Sequence, residues 1–431
     1  MKLIFDISVL AWSIRNNKAK TGIYRVIENL LKQFVHDPEI DLYLSSVHGN
    51  ICDFYKYLEI HNIQIDSGHL LVPQSYSKWR DRLFLFYLWI LDFFDFKSNL
   101  FYRNLLLGAI KLVIDPLFVL LGLGNYINPI RNVYLTNDFI FHSPFLPFPD
   151  FIKETKVKKV ITIYDLIAVL YPEFFEGNQD KVVWKIIRNI DSETSIVTIS
   201  EHSKNDIVGY IPFFDQTKIS VIPLAAEEIF YEIKGNELID EIISQFGLET
   251  KKYILTVSTL EPRKNLKSSL RAFLRLAESG LDADIKFVVL GGKGWGAGLV
   301  DLEAEFPNVY QNRVLFLGFI PDEKMAYIYS GALFFVYLSL YEGFGLPPLE
   351  AMKCGIPVLV SNTSSLPEVI GNAGISVNPK VELEIIKGMK SLIEDPNLRI
   401  KLSELSTQQA ALFSWDKSAY KLKKVYRNIS K

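Results

Sequence analysis

At 431 residues the chain is long for a single hydrophobic core, and two domains of about 200 residues each are expected. A formal net charge of −2 excludes the strongly basic footprint of a general nucleic-acid binder. Two cysteines, Cys52 and Cys354, far apart and without metal-ligand spacing, point away from a disulfide scaffold and a zinc site and toward a reducing cytoplasm.

Lys2 to Leu10 reads as a first strand, since Asp6 interrupts its apolar run and no cleavage site follows as in a signal peptide. After a polar loop, Thr21-Gly22-Ile23-Tyr24-Arg25-Val26 opens an amphipathic run to about Val35. Gly22 thus stands at a strand-loop-helix entry. Such an entry suits either a phosphate cradle or a plain Thr-capped helix. Asp41 to Val47 reads as a second strand.

From about Cys52 to Asn132 the pattern is irregular and rich in aromatic and aliphatic residues. Leu83 to Leu91 is nine consecutive apolar residues, preceded by Lys78, Arg80 and Arg82; Leu105 to Gly124 is apolar except for Lys111 and Asp115. A membrane span needs about 20 mostly uncharged apolar residues, so neither run crosses a bilayer. Segment 78–124 is therefore either a buried insertion or a surface that docks on a membrane.

Strand candidates resume at Val133 to Leu135, Val160 to Ile163 and Ser195 to Ile199, with a helical pattern from about Gln179 to Ile190. Phe141-His142-Ser143-Pro144 and Tyr164-Asp165-Leu166 are expected just after strands, where ligand-contacting residues of such sheets collect. Polar, poorly periodic sequence then runs from about Ala226 to Thr250. Beyond it, Tyr253 to Thr259, Ile285 to Leu290, Val314 to Leu317, Leu333 to Leu340, Pro357 to Val360 and Gly374 to Val377 alternate with helical segments, as in a doubly wound α/β sheet.

Three loops of this second half carry the chemistry. Glu261-Pro262-Arg263-Lys264-Asn265 follows a strand and brings two cations to the sheet's carboxyl edge, where they suit negative charge on a leaving group or simply a solvated surface. Gly291-Gly292-Lys293-Gly294-Trp295-Gly296-Ala297 meets only a loose dinucleotide spacing, with no acidic residue placed to hold an adenosine ribose. Tyr341-Glu342-Gly343-Phe344-Gly345-Leu346-Pro347-Pro348-Leu349-Glu350 reads as a strand end, a tight loop and a helix N-terminus, with Pro348 at the first helical position and Glu350 in the first turn. Taken alone, this stretch also fits a plain connection with a helix-capping Glu.

Two Glu separated by seven residues, with Gly-Phe-Gly-Leu-Pro between and Ala351-Met352-Lys353-Cys354-Gly355-Ile356-Pro357-Val358 after, resemble the signature of the retaining nucleotide-sugar glycosyltransferases of family 4, the group 1 glycosyltransferases. The Glu-Pro-Arg-Lys-Asn form of the cationic loop resembles their mannosyltransferase-like subset. The resemblance implies a GT-B α/β fold, two Rossmann-like domains facing across a cleft: residues 1–226 on the acceptor side, 227–414 on the donor side, and 415–431 crossing back. It implies transfer of a hexose from a nucleoside diphosphate, GDP-mannose by the subset, to a glycan or lipid-linked glycan hydroxyl, with no metal or other cofactor. Glu342, Arg263 and Lys264 are implied as catalytic; Gly22, Gly292, Gly343, Phe344, Gly345, Leu346 and Glu350 as donor-binding; Tyr164, Asp165 and His142 as acceptor-side. Tyr164 stands where relatives usually carry His, so only a hydrogen-bonding role carries over to it. Two rival classes share the architecture: a nucleotide-sugar epimerase and a non-catalytic sugar-nucleotide-binding subunit.

Overall fold

The computed structural model describes residues 1–15, 22–71, 130–174, 181–282, 284–291 and 299–431, with a few scattered positions between 82 and 127. Gly292, Thr21 and nearly all of segment 78–124 therefore lie outside the described residues.

Two six-stranded sheets, each wholly parallel, dominate the chain. The first contains β1 (Lys2–Asp6), β2 (Asp41–Ser45), β5 (Phe139–Ser143), β6 (Lys158–Thr162), β7 (Ser195–Thr198) and β8 (Ile219–Val221) in the order β2-β1-β5-β6-β7-β8. A two-residue ribbon, β3 (His48–Gly49) with β4 (Tyr126–Ile127), stands apart from it. The second contains β9 (Tyr253–Val257), β10 (Lys286–Leu290), β11 (Val314–Gly318), β12 (Phe334–Tyr337), β13 (Val358–Ser361) and β14 (Gly374–Val377) in the order β11-β10-β9-β12-β13-β14.

Alternation along the strands sorts side chains to the two faces of each sheet. In β1, Leu3 and Phe5 enter one buried cluster and Ile4 another; in β10, Val288 and Leu290 part from Phe287 and Val289 in the same way. Strands buried on both faces read as continuous apolar runs, so the second sheet is legible in the sequence.

Several local expectations need correction. Val133 to Leu135 is not a strand: Asn132–Tyr134 is a single 3-10 turn, and the strand begins at Phe139. Consequently His142 lies inside a central strand rather than after it. The stretch after Ala226 is not wholly irregular, since Asn236–Ser244 is a helix whose Ile239 and Ile243 are buried. The helix after the Gly-Phe-Gly loop begins at Leu346, so Pro348 is its third residue and Glu350 its fifth, beyond the first turn.

The final helix, Trp415–Ser430, returns to the first sheet. Ser414 caps it by accepting from Lys417 N–H, Ser418 donates to the Pro223 carbonyl at 2.6 Å, and Tyr426 meets His142 at 2.6 Å.

Candidate active site

In both sheets the chain starts in the interior, winds to one edge, then reverses across the starting strand. Ligands of such sheets bind beyond the carboxyl ends of the strands flanking that reversal. In the second sheet those strands are β9 and β12. The loop after β9 carries Arg263 and Lys264; the loop after β12 carries Glu342.

These three side chains converge. Arg263 Nη1 lies 2.8 Å and Lys264 Nζ 2.7 Å from Glu342 Oε1, and Tyr337, at the end of β12, donates its hydroxyl to the same oxygen at 2.8 Å while accepting from Lys264 at 2.6 Å. Arg263 also donates to the Tyr341 carbonyl at 2.9 Å and pairs with Glu261 at 3.3 Å. Burial alone would raise the Glu342 pKa, but Lys264 and Arg263 more than offset it and hold the carboxyl at about 2. Burial and the neighbouring Arg263 lower the Lys264 ammonium, while Glu342 opposes them. Charge is thus concentrated at the reversal point, where Arg263 and Lys264 share Glu342 and Glu261 flanks Arg263.

Backbone geometry delivers Glu342 there. Gly345 has φ of +121°, a region closed to most L side chains, and a Cβ on it would come within 2.7 Å of Leu366 Cδ2. Gly343 faces the other domain: its Cβ would meet Asp165 Oδ2 at 2.8 Å and the Tyr164 carbonyl at 3.1 Å. Ser365 fastens the loop by donating to the carbonyls of Glu342 and Phe344 at 2.9 and 2.6 Å. Phe344 is buried against Phe413, and Leu346 is half-buried with its methyl 3.9 Å from where a Cβ on Gly22 would stand. Gly22 opens the helix Gly22–Val35 and lies beside Leu346 of the second domain.

Glu350 is held differently. Its carboxylate accepts from Tyr329 at 3.0 Å; burial drives its pKa up to about 7, against the lowering effect of Tyr329 and Arg25. Arg25 itself pairs with Glu227 at 3.3 Å and Asp322 at 3.2 Å, joining the first domain to the second.

On the facing domain the three acceptor-side candidates separate. Asp165 accepts from Ile167 N–H at 3.0 Å and faces Gly343; burial raises its pKa, and the Arg263 and Lys264 charges reach it across the cleft. His142 is wholly buried, bonded through Nδ1 to Tyr426 and through Nε2 to Thr162 at 2.9 Å, and burial lowers its pKa to about 3. It is a neutral interior histidine that ties the final helix to the sheet, not an acceptor-side group. Tyr164 points into the core, lining a narrow interior cavity with Val26, Leu30 and Trp415, and its hydroxyl has no hydrogen-bond partner among the described residues. Its proposed hydrogen bond to substrate is therefore not supported by its position.

The remaining partners meet through contacts between the domains. The helix Glu201–Tyr210 of the first domain touches the Tyr341–Gly345 loop. Asp206 accepts from the Tyr341 hydroxyl, Ser203 donates to the Gly343 carbonyl at 3.3 Å, and Glu368 of the second domain accepts from the Glu201 and His202 N–H groups at 2.8 and 2.7 Å. Tyr329 and Tyr337 escaped notice because an aromatic in an apolar run reads as core.

Residues 239–409 match the family described as "Glycosyl transferases group 1". O-antigen chain mannosyltransferase B of Escherichia coli is 30% identical over 294 residues, 66% of this chain and 74% of that protein. The chain belongs to the group 1 glycosyltransferases. The serotype-specific mannosyltransferase WbdA of Escherichia coli is 29% identical over 270 residues, but this chain spans only 32% of its length. Among solved structures, Anabaena HepE in complex with UDP and glucose superposes with TM-score 0.59 at 15% identity over 99% of this chain and 100% of that one. WaaG, a glycosyltransferase involved in lipopolysaccharide biosynthesis, gives 0.58 at 13% identity, with 97% and 98% covered. At such identity the likeness carries the GT-B fold alone. This glycosyltransferase places its two cations and Glu342 on the second domain of that fold, opposite Asp165.

Proposed function

We propose that this glycosyltransferase moves mannose from GDP-mannose to a hydroxyl of a glycan or lipid-linked glycan, retaining anomeric configuration and needing no metal. The observation that carries the transfer chemistry is the pair of cations, Arg263 and Lys264, at the reversal point of the second sheet within 2.8 Å of Glu342. The choice of mannose is supported by the Glu-Pro-Arg-Lys-Asn loop and by the mannosyltransferase names of the relatives.

In this reading the donor diphosphate sits between the helix starting at Leu346 and the two cations. A lysine ammonium has three donors, and two of those on Lys264 are taken by Tyr337 and Glu342, leaving one for phosphate. As the bond from the anomeric carbon to the diphosphate oxygen lengthens, negative charge grows on that oxygen, and Arg263 and Lys264 stabilise it. The acceptor oxygen then bonds to the same face of the carbon, and its proton passes to the departing diphosphate. Glu342 and the Gly343–Gly345 backbone hold the sugar hydroxyls; Glu350 holds the ribose; Gly22 and Gly292 border the donor. Asp165 orients the acceptor.

We place the work at the cytoplasmic face of a membrane, with segment 78–124 as the docking surface. Among the described residues no helix is long and apolar enough to cross a bilayer, and Phe86 and Leu112 within the segment are exposed. Apolar groups beside Lys78, Arg80 and Arg82 suit an anionic interface, each cation adding about 1 kcal/mol.

The deciding experiment incubates the protein with GDP-mannose, GDP-fucose, UDP-glucose or UDP-galactose in turn, with mannose-, galactose- or glucose-terminated glycan acceptors or with none, with and without EDTA, and follows products by NMR. Transfer of α-mannose from GDP-mannose in EDTA supports the reading. An epimeric sugar formed without any acceptor identifies an epimerase, and donor binding without turnover against any acceptor a non-catalytic subunit.

A further inference from the structure

The chain leaving Asp165 forms the short helix Ile167–Leu170, then a single turn, Pro172–Phe174. Tyr171 between them is fixed at its backbone, donating N–H to the Ile167 carbonyl at 2.9 Å and accepting from Phe174 N–H at 3.1 Å. Its ring stacks on Phe174, with centroids 5.6 Å apart and planes 24° apart, and meets Tyr341 of the other domain at 5.2 Å. His202 packs edge-on against the same Tyr341 at 5.4 Å. Tyr341 is 3% exposed, Tyr171 37%. Tyr171, an aromatic ring with open surface, thus stands at the cleft against Tyr341, the residue before Glu342.

We propose that Tyr171, backed by Phe174, is the platform on which the acceptor's sugar ring stacks, and that this ring belongs to a neutral glycan. The proposal rests on the transfer reading above. A pyranose presents an apolar C–H face to an aromatic ring and hydroxyls around its rim, and a ring already locked by stacking loses little freedom on binding. The groups nearby are acceptors for hydroxyls: Asp165 precedes the platform by six residues and faces Gly343, Glu173 is exposed beside it, and Asp206 lies behind Tyr341. These carboxyl oxygens can accept from sugar hydroxyls around the rim of the stacked ring, which a neutral glycan supplies. Tyr341 also ties the platform to the reacting centre, since its carbonyl accepts from Arg263. A sugar on Tyr171 therefore lies on the acceptor side of the residues assigned to the donor.

The test uses the full chain loaded with GDP, and ligand-observed NMR titration with neutral disaccharides ending in mannose, galactose or glucose. At least one should bind; Tyr171→Ala should weaken that binding tenfold or more, Tyr171→Phe should stay within twofold, and GDP affinity should match wild type in both. Unchanged disaccharide binding in Tyr171→Ala, or no disaccharide binding to the wild type, overturns the platform. A parallel loss of GDP affinity overturns it too, since Tyr171 would then serve domain packing. The transfer reading fails separately: a chain that binds sugar through Tyr171 but turns over no donor sinks that reading alone.

Discussion

Lys264 Nζ lies 2.7 Å from Glu342 Oε1 although the two residues leave different strands of the second sheet and are 78 positions apart. The pair exists because β9 and β12 are neighbours at the point where the winding reverses.

Replacing Lys264 by Ala should lower the turnover number by about 10²-fold or more, the usual cost of removing one group that stabilises transition-state charge. Stability should change less, because Arg263 and Tyr337 still hold Glu342. Steady-state kinetics beside thermal melts check this; equal falls in melting temperature and turnover would make Lys264 a structural cation.

With Glu350 at the ribose as proposed, donor binding and stability should depend on pH in opposite senses. The Glu350 folded pKa of about 7 stands above the ordinary 4.5, so its contribution to stability is fully present below about pH 4.5 and is lost as pH rises through about 7. The same ionisation supplies the charged acceptor that ribose hydroxyls favour, so GDP affinity should rise between pH 6 and 8. Glu350→Gln should flatten both dependences and weaken GDP binding by about 1–3 kcal/mol. Calorimetry across that pH range tests it, and an unchanged slope in the variant would remove Glu350 from the ribose site.

Much of this was readable in advance, and what was not has physical causes. The second sheet was legible because strands buried on both faces are short apolar runs between turns, as Phe334–Tyr337 and Val358–Ser361 are. Val133 to Leu135 misled because three apolar residues fit a turn as well as a strand. His142 followed that error: with the strand displaced by a few residues, an interior histidine reads as a loop ligand. The contacts of Tyr171, Asp206 and Glu368 join residues 130 or more positions apart in the chain or depend on how two domains meet, and no local pattern carries that information.

His142 and Tyr426 should behave as one structural unit. Tyr426→Phe leaves His142 Nδ1 without its 2.6 Å partner in a site closed to solvent, at a cost of about 1–3 kcal/mol. Chemical denaturation should register that loss while the KM for acceptor stays at the wild-type value. A rise in acceptor KM with normal stability would return His142 to the acceptor side.

Glu368 should govern how firmly the two domains meet. Its carboxylate takes the Glu201 and His202 N–H groups at the start of the helix Glu201–Tyr210, where the backbone presents unsatisfied donors and positive potential. The same helix grips the Tyr341–Gly345 loop through Asp206 and Ser203, so this contact and the loop's placement are linked. An exposed carboxylate at a helix N-terminus contributes about 1 kcal/mol, enough to shift a two-state opening equilibrium roughly fivefold. Glu368→Ala should therefore enlarge the radius of gyration of the ligand-free protein in X-ray scattering, and Glu368→Gln, which keeps one acceptor oxygen, should fall between. Saturating GDP-mannose should draw all three proteins to the same compact state if donor contacts outweigh the lost carboxylate. A variant whose scattering matches wild type without ligand would show that Tyr341–Asp206 and Arg25–Asp322 hold the cleft without Glu368.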